Sequence, residues 1–220
     1  MAAVSAALRR IHEQKETKEA KIHQRARNAF TLIELLVVII MIAILAGLLF
    51  PAINGAQNQA KKVQAKNDLI QIVTAVNAFY TEYGKYPTTA TTDATATYGP
   101  GGSTAENGGL FKELQGVSNT LNTRQIVFIN PPNAKDQTNP RSGIKTSTGG
   151  YYDPWGTEYA VAMDADYNND INPNPYGNNN GAGPSPLLQG VIAWSLGTDT
   201  NLGNNGDGKF TNSDDVISWQ

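Results

Sequence analysis

The chain has 220 residues, 17 basic and 19 acidic side chains and no cysteine, which leaves room for one modest domain with extensions and excludes disulfides as its staple. The net charge of −2 conceals a split, because residues 1–29 hold seven Lys/Arg against three Glu while ten basic and sixteen acidic residues follow. Both histidines, His12 and His23, lie in the basic segment, so the rest of the chain lacks the residues for the usual catalytic triads, thiol nucleophiles and zinc sites. Asp164 with Asp166, and Asp214 with Asp215, are too close in sequence for the carboxyl separation that glycoside hydrolysis needs. No enzyme is expected.

Met1–Ala29 carries Arg9, Arg10, Lys15, Lys18, Lys21, Arg25 and Arg27 ahead of an apolar run. The positive-inside rule keeps such a segment in the cytoplasm, and the Glu residues interleaved with its cations argue against nucleic acid as its ligand. Phe30 to Pro51 then runs apolar after Thr31 with one charge, Glu34. Its 22 residues make a helix of roughly 33 Å, enough to cross the hydrocarbon core of a bilayer. A carboxylate inside such a span costs on the order of 2–4 kcal/mol and marks a site that meets a cationic partner. Gly47 and Pro51 sit four apart, where a proline removes a helical hydrogen bond; a loosened turn and a simple kink are both open.

The string NAFTLIELL, with the basic segment before it, Glu34 four residues beyond Phe30 and Pro51 closing the apolar run, resembles the class III signal of type IV pilins and type II secretion pseudopilins. The resemblance implies that a prepilin peptidase cuts between Ala29 and Phe30 and that Phe30 is N-methylated, with Ala29 standing where the family usually has Gly. Cleavage would leave an ammonium on Phe30, and a subunit packed alongside with a small axial offset would set that charge against Glu34. A matched buried pair of this kind acts chiefly as a register device.

From Ala52 to Tyr83 the apolar residues Leu69, Val73, Val76, Tyr80 and Tyr83 recur at spacings of three and four, widened by Ile72, Ala75 and Phe79, with Lys61, Lys62, Lys66, Asp68 and Glu82 mostly opposite. This predicts one long helix, half membrane and half soluble, ending at Gly84 with Pro87 behind it. Thr88–Gly109 reads as an exposed loop and Leu110–Leu114 as a short helix. Arg124–Pro132 reads as an edge strand cut by prolines, and 133–150 as polar loop. Asp153–Asp164 predicts a turn and a strand, Val191–Asp199 a strand ending in a turn.

In order, DPWG, SLGTD and the terminal DVISW resemble the C-terminal part of the type II secretion major pseudopilin. That resemblance implies a calcium ion held by the backbone carbonyl of Leu196 and the carboxylates of Asp199 and Asp215. The residues support a hard cation independently. Beyond residue 150 there is one basic residue, Lys209, against nine acids. Asp199, Asp207, Asp214 and Asp215 lie among Asn and Gly, which supply oxygens and let the backbone curl. Asp164 and Asp166 in DADYNNDIN alternate in the same manner, but a second ion there is not favoured over ordinary turns.

The fold expected is α+β. A leader at 1–29, an assembly helix at 30–51 and its amphipathic continuation at 52–86 precede a loop-rich, antiparallel head at 87–220 with one calcium site. The function expected is a structural filament subunit, foremost the major pseudopilin of a type II secretion system. Its partners would be copies of itself, prepilin peptidase, an inner-membrane assembly platform and minor pseudopilins, and its places the inner membrane and a periplasmic or extracellular filament. A type IV pilus subunit for adhesion, motility or DNA uptake is the alternative, and a monomeric membrane-tethered calcium- or glycan-binding module a more distant one.

Overall fold

A computed structural model describes residues 30–91, 98–100 and 106–220, so the leader, with Ala29 at its end, lies outside the described residues. In chain order the elements are α1 (Leu32–Tyr83), α2 (Gly108–Leu114), β1 (Gly143–Ile144), β2 (Tyr151–Tyr152), β3 (Ala160–Met163), β4 (Val191–Ser195) and β5 (Val216–Ile217). The chain divides into two compact units, one ending at Ala52 and one beginning at Ile53. A long N-terminal helix followed by small antiparallel sheets makes the α+β class expected from the sequence.

In the first unit, the large apolar side chains from Leu32 to Leu49 are exposed, Leu32 by 85% and Leu48 by 73%. The stretch is long and apolar enough to cross a membrane, and none of its apolar window is covered by the chain itself. The helix is assigned through both Gly47 and Pro51 without a break.

In the second unit, α1 supplies one wall of the core through Ala65, Leu69, Ile72, Val76 and Phe79, all fully buried. The spacing is that of an amphipathic helix, but its phase is corrected from the predicted one. Ile72 and Phe79 lie at the centre, Val73 is half-buried, and Tyr80 is 38% exposed and stacks on Tyr86 at 4.7 Å. Two residues expected to face water also lie elsewhere. Lys66 Nζ donates to the carbonyls of Ile217, at 2.7 Å, and Gln220, and the Tyr159 hydroxyl donates to Asp68 at 2.8 Å. Both tie the C-terminal sheet to the helix, which composition alone does not reveal. The helix ends as predicted: Gly84 adopts φ +66°, its amide bonding to Tyr80 O at 2.8 Å.

Helix α2 starts at Gly108, two residues before the predicted Leu110. A Cβ at Gly108 would meet Thr148 O at 2.4 Å, so only glycine admits this approach. The preceding Asn107 is fully buried, its Nδ2 donating to the carbonyls of Tyr151 and Tyr159 and its Oδ1 accepting from Tyr151 N. The predicted edge strand at 124–132 is not formed. The Asn122 side chain takes both the amide and the carbonyl of Ile126, and the Phe128 and Ile129 amides turn to Leu114 O, leaving no ladder to build. Instead β1 arises inside the segment expected to be polar loop and pairs with β2, Gly143 opposite Tyr152.

The three-stranded sheet runs β3–β4–β5, all antiparallel. Every residue of β4 is buried because both sheet faces are covered. Val191 and Ala193 join the core that includes α1, while Ile192 and Trp194 pack with Ile171, Tyr176 and Leu187 of the connecting loop.

One buried acid in this unit gives a pH test. Burial raises the Glu113 pKa, but the hydroxyl of Ser118 at 2.6 Å and the amides of Asn122 at 2.8 Å and Leu121 at 3.1 Å outweigh it, and the net shift is downward. A carboxylate with a lowered folded pKa contributes stability that is complete above its unfolded pKa and is lost as pH falls through the folded one. Glu113→Gln is therefore expected to destabilise the folded unit by about 1–2 kcal/mol at neutral pH. Melting curves of the two proteins should converge as pH falls below the ordinary carboxylate range.

Candidate assembly helix and cation loop

The start of α1 is built as a capping box, in which a hydroxyl residue and an acid three positions on satisfy each other's free amides. Glu34 N donates to Thr31 Oγ1 at 3.3 Å, and Glu34 Oε2 accepts from both the amide and the hydroxyl of Thr31 at 2.8 Å. Phe30, 76% exposed, directly precedes the box. Glu34 thus has a local partner before any neighbouring molecule arrives. The signal Thr-x-x-Glu stands in the sequence, and reading Glu34 only as an intramembrane charge passes over it. Around Gly47, a Cβ would meet nothing within 4 Å, so the helix surface there is open.

The cation loop begins where β4 stops. Asp153, fully buried, accepts three amides on Oδ1, from Trp155 at 2.9 Å, Gly156 at 2.8 Å and Thr157 at 2.9 Å. Its Oδ2 accepts the Ser195 hydroxyl at 2.6 Å, and Ser195 Oγ in turn accepts the Gly197 amide at 3.3 Å. Burial raises the Asp153 pKa, against the pull of Ser195 and these amides. The DPWG turn and the SLG turn are thereby joined. Asp153 was read from the sequence only as part of a turn; its second oxygen spans 42 residues, a contact no local pattern announces.

Gly197 turns the chain with φ +65°, and a Cβ there would meet Asp214 Oδ2 at 2.6 Å and Asp214 O at 2.7 Å. The close approach brings Asp214 Oδ2 to the amides of Thr198 and Asp199. Asp199 accepts the Asn201 amide at 2.9 Å on one oxygen and the Asn205 amide at 2.8 Å on the other. Asp215, 6% exposed, takes the Gly203 amide at 2.7 Å and the Tyr176 hydroxyl at 2.8 Å on Oδ2. Its Oδ1 is buried and has no hydrogen-bond partner. Burial, with smaller contributions from Asp214 and Asp199, pushes the Asp215 pKa up to about 6, although the Gly203 and Tyr176 bonds oppose the rise.

Asp199, Asp214 and Asp215 each place one oxygen within 4.8 Å of the other two. Oxygens sharing a calcium ion at 2.3–2.6 Å can be no more than about 5 Å apart, so the trio fits a hard cation, and the orphaned Asp215 Oδ1 supplies a vacant lone pair. Asp207 lies outside the trio, its Oδ1 accepting the amides of Asn204 and Lys209. Leu196 is buried beside Trp194 and Ile217 in the far-side core. Asp164 and Asp166 are turned to backbone amides: Asn168 N reaches Asp164 at 3.1 Å and Asp166 at 3.2 Å, and Asn169 N reaches Asp164 at 2.8 Å. The Asp166 bond, made two residues on, is that of an Asx turn.

Residues 24–50 match the family model described as the prokaryotic N-terminal methylation motif. Over 68 residues the chain is 32% identical to the type II secretion system core protein G of Aeromonas hydrophila and 35% identical to that of Pseudomonas aeruginosa. Each alignment covers 31% of this chain and 48% of the relative. The Escherichia coli protein of the same description is 35% identical over 63 residues, 29% of this chain and 43% of its own. The chain thus spans about half the length of the curated relatives it matches. No solved structure matches. The similarity to these core proteins G extends over about a third of this chain.

Proposed function

We propose that this chain, which carries the N-terminal methylation motif and is similar over 68 residues to core proteins G of type II secretion systems, is the major subunit of a short secretion filament. The observation that carries the reading is the match over residues 24–50, and the exposed apolar face of α1 supports it. An apolar helix that its own chain leaves uncovered needs lipid or other helices around it, and a filament subunit uses each in turn.

Prepilin peptidase cuts before Phe30 on the cytoplasmic side, the new amine is methylated, and the subunit waits in the inner membrane with its Phe30 end toward the cytoplasm and residues 53–220 outside. An assembly platform then draws it into the polymer, with minor pseudopilins as companions. Glu34 receives the Phe30 ammonium of a neighbouring copy and fixes the axial register. Gly47 and Pro51 mark the stretch of the assembly helix where its hydrogen bonding is weakest.

Calcium is the cation proposed for the loop, held by Asp199, Asp214 and Asp215 with the Leu196 carbonyl. Asp207 is an outer contributor through the turn it closes. The ion supplies positive charge that the buried Asp215 otherwise lacks, and Asp153 and Ser195 hold the strand end against which the loop closes. Residues Asp164 and Asp166 are assigned to turns.

The test is mass spectrometry of the protein from cells expressing it with a prepilin peptidase. A first residue of N-methylated Phe30 is expected, together with filaments in electron micrographs. An intact Met1 on the exported protein, or an unmodified solitary chain in lipid, overturns the reading.

A further inference from the structure

Beside the α1 face from Lys61 lies a groove of about 710 Å³ bordered by Lys61, Lys135 and Arg141 and walled by Pro132 and Pro154. Lys61 and Lys135 form no ion pair, Arg124–Glu82 being the one such pair among the described residues, whereas Arg141 lies within the field of Asp136. The groove's own acid, Asp136, is already engaged by the amides of Thr138 at 2.8 Å and Asn139 at 3.1 Å. The floor is rigid: Ile144 N bonds Pro132 O, Ala134 N bonds Ile144 O, and Ser142 N bonds Asp153 O, each at 2.9 Å. Two unpaired lysines at a preformed concavity are an arrangement that captures an acidic ligand, because little need be reorganised or displaced first.

We infer that this groove receives the acidic loop Asp164–Asp170 of a second copy of the chain. No Lys or Arg lies between Lys145 and Lys209, and of the three acids in this loop Asp164 is buried, so that Asp166 and Asp170 are the two that reach the surface. Asp166 is exposed in a tight turn with positive φ at Tyr167 (61°) and Asn169 (70°), and the Tyr167 ring holds that turn in place by stacking on Tyr86 at 5.7 Å. The other acidic loop, at 199–215, is the poorer occupant, because it contains Lys209 and its carboxylates converge on one another. A groove on one copy and a loop on the next form a heterologous contact, which repeats without closing and so extends an open helical polymer. The inference rests on the filament reading and adds to it a contact between the units formed by residues 53–220.

The chain's lack of cysteine gives a clean background for cross-linking. In filaments of the full chain, Lys135→Cys combined with Asp166→Cys is expected to give a ladder of disulfide-linked multimers, while either substitution alone gives no ladder. Lys135→Glu with Arg141→Glu should lower sedimented filament about tenfold or more. Adding Asp166→Lys and Asp170→Lys should restore it, and unchanged melting of each variant verifies the fold. Normal filaments without a ladder overturn this contact and leave the filament reading standing; so does a ladder that appears instead with Asp207→Cys. Cross-linking to a protein of different mass overturns it in favour of a foreign acidic occupant. Absence of filaments from the unsubstituted chain overturns both readings.

Discussion

Glu34→Gln is expected to abolish filaments while leaving the helix start intact. Glutamine serves the capping box as glutamate does, since its carbonyl oxygen still accepts the Thr31 amide. What it lacks is the charge. Under the register reading, a neighbour's Phe30 ammonium then enters an apolar environment unpaired, a loss on the order of 3–5 kcal/mol and thus about a hundredfold or more in assembly. Thr31→Ala is the complementary control. It removes the hydroxyl that Glu34 N and Oε2 both engage, at about 1 kcal/mol, and leaves the carboxylate. Filament yield by sedimentation should therefore fall steeply for Glu34→Gln and slightly for Thr31→Ala, with both proteins inserted in the membrane. The reverse order would make Glu34 a cap and nothing more.

Chelation is expected to lower the melting temperature of the folded unit, and Asp215→Asn to remove that response. A ligand present at about a hundred times its dissociation constant stabilises by about 2.7 kcal/mol, which for a unit the size of Ile53–Gln220 is roughly 5–10 °C. Asp199→Asn and Asp214→Asn should lose most of the shift because each removes a carboxylate of the converging trio. Asp215→Asn carries a second signature. Without a cation the buried Asp215 charge has an unpartnered oxygen, so an uncharged amide of the same shape relieves a cost. The variant should melt no lower than the chelated parent and ignore added calcium. Identical melting of the parent with and without chelator would remove the metal from the account.

The methylation motif was legible because it is local, lying on one stretch at residues 24–50. The helix end at Gly84 was legible for the same reason, as were the strands around Val161 and Ile192. The phase of the α1 stripe was not, because Leu69, Val73 and Val76 fit a helical face as well as Leu69, Ile72 and Val76 do, and only the packed sheet selects between them. Lys66 and Asp68 were assigned to solvent on charge, whereas their partners sit at Ile217 and Tyr159, far along the chain. The strand expected at Arg124–Pro132 failed because Asn122 competes for its backbone groups, and β1 was missed because two residues are too few to show a period. In the cation loop, the acids and the glycine turn were readable. The support from Asp153 was not, since its target Ser195 is fixed only by the fold.

Tyr176 connects the loop to the hydrophobic interior. Its hydroxyl rests on Asp215, and its ring lies 5.4 Å from Phe210 and 6.2 Å from Trp219. Any change in the electrostatic load on that carboxylate must alter the field across the phenol and its coupling to the indole. Uptake of the proposed cation would therefore show in a difference spectrum in the near ultraviolet, or in energy transfer from Tyr176 to Trp219, without an added dye.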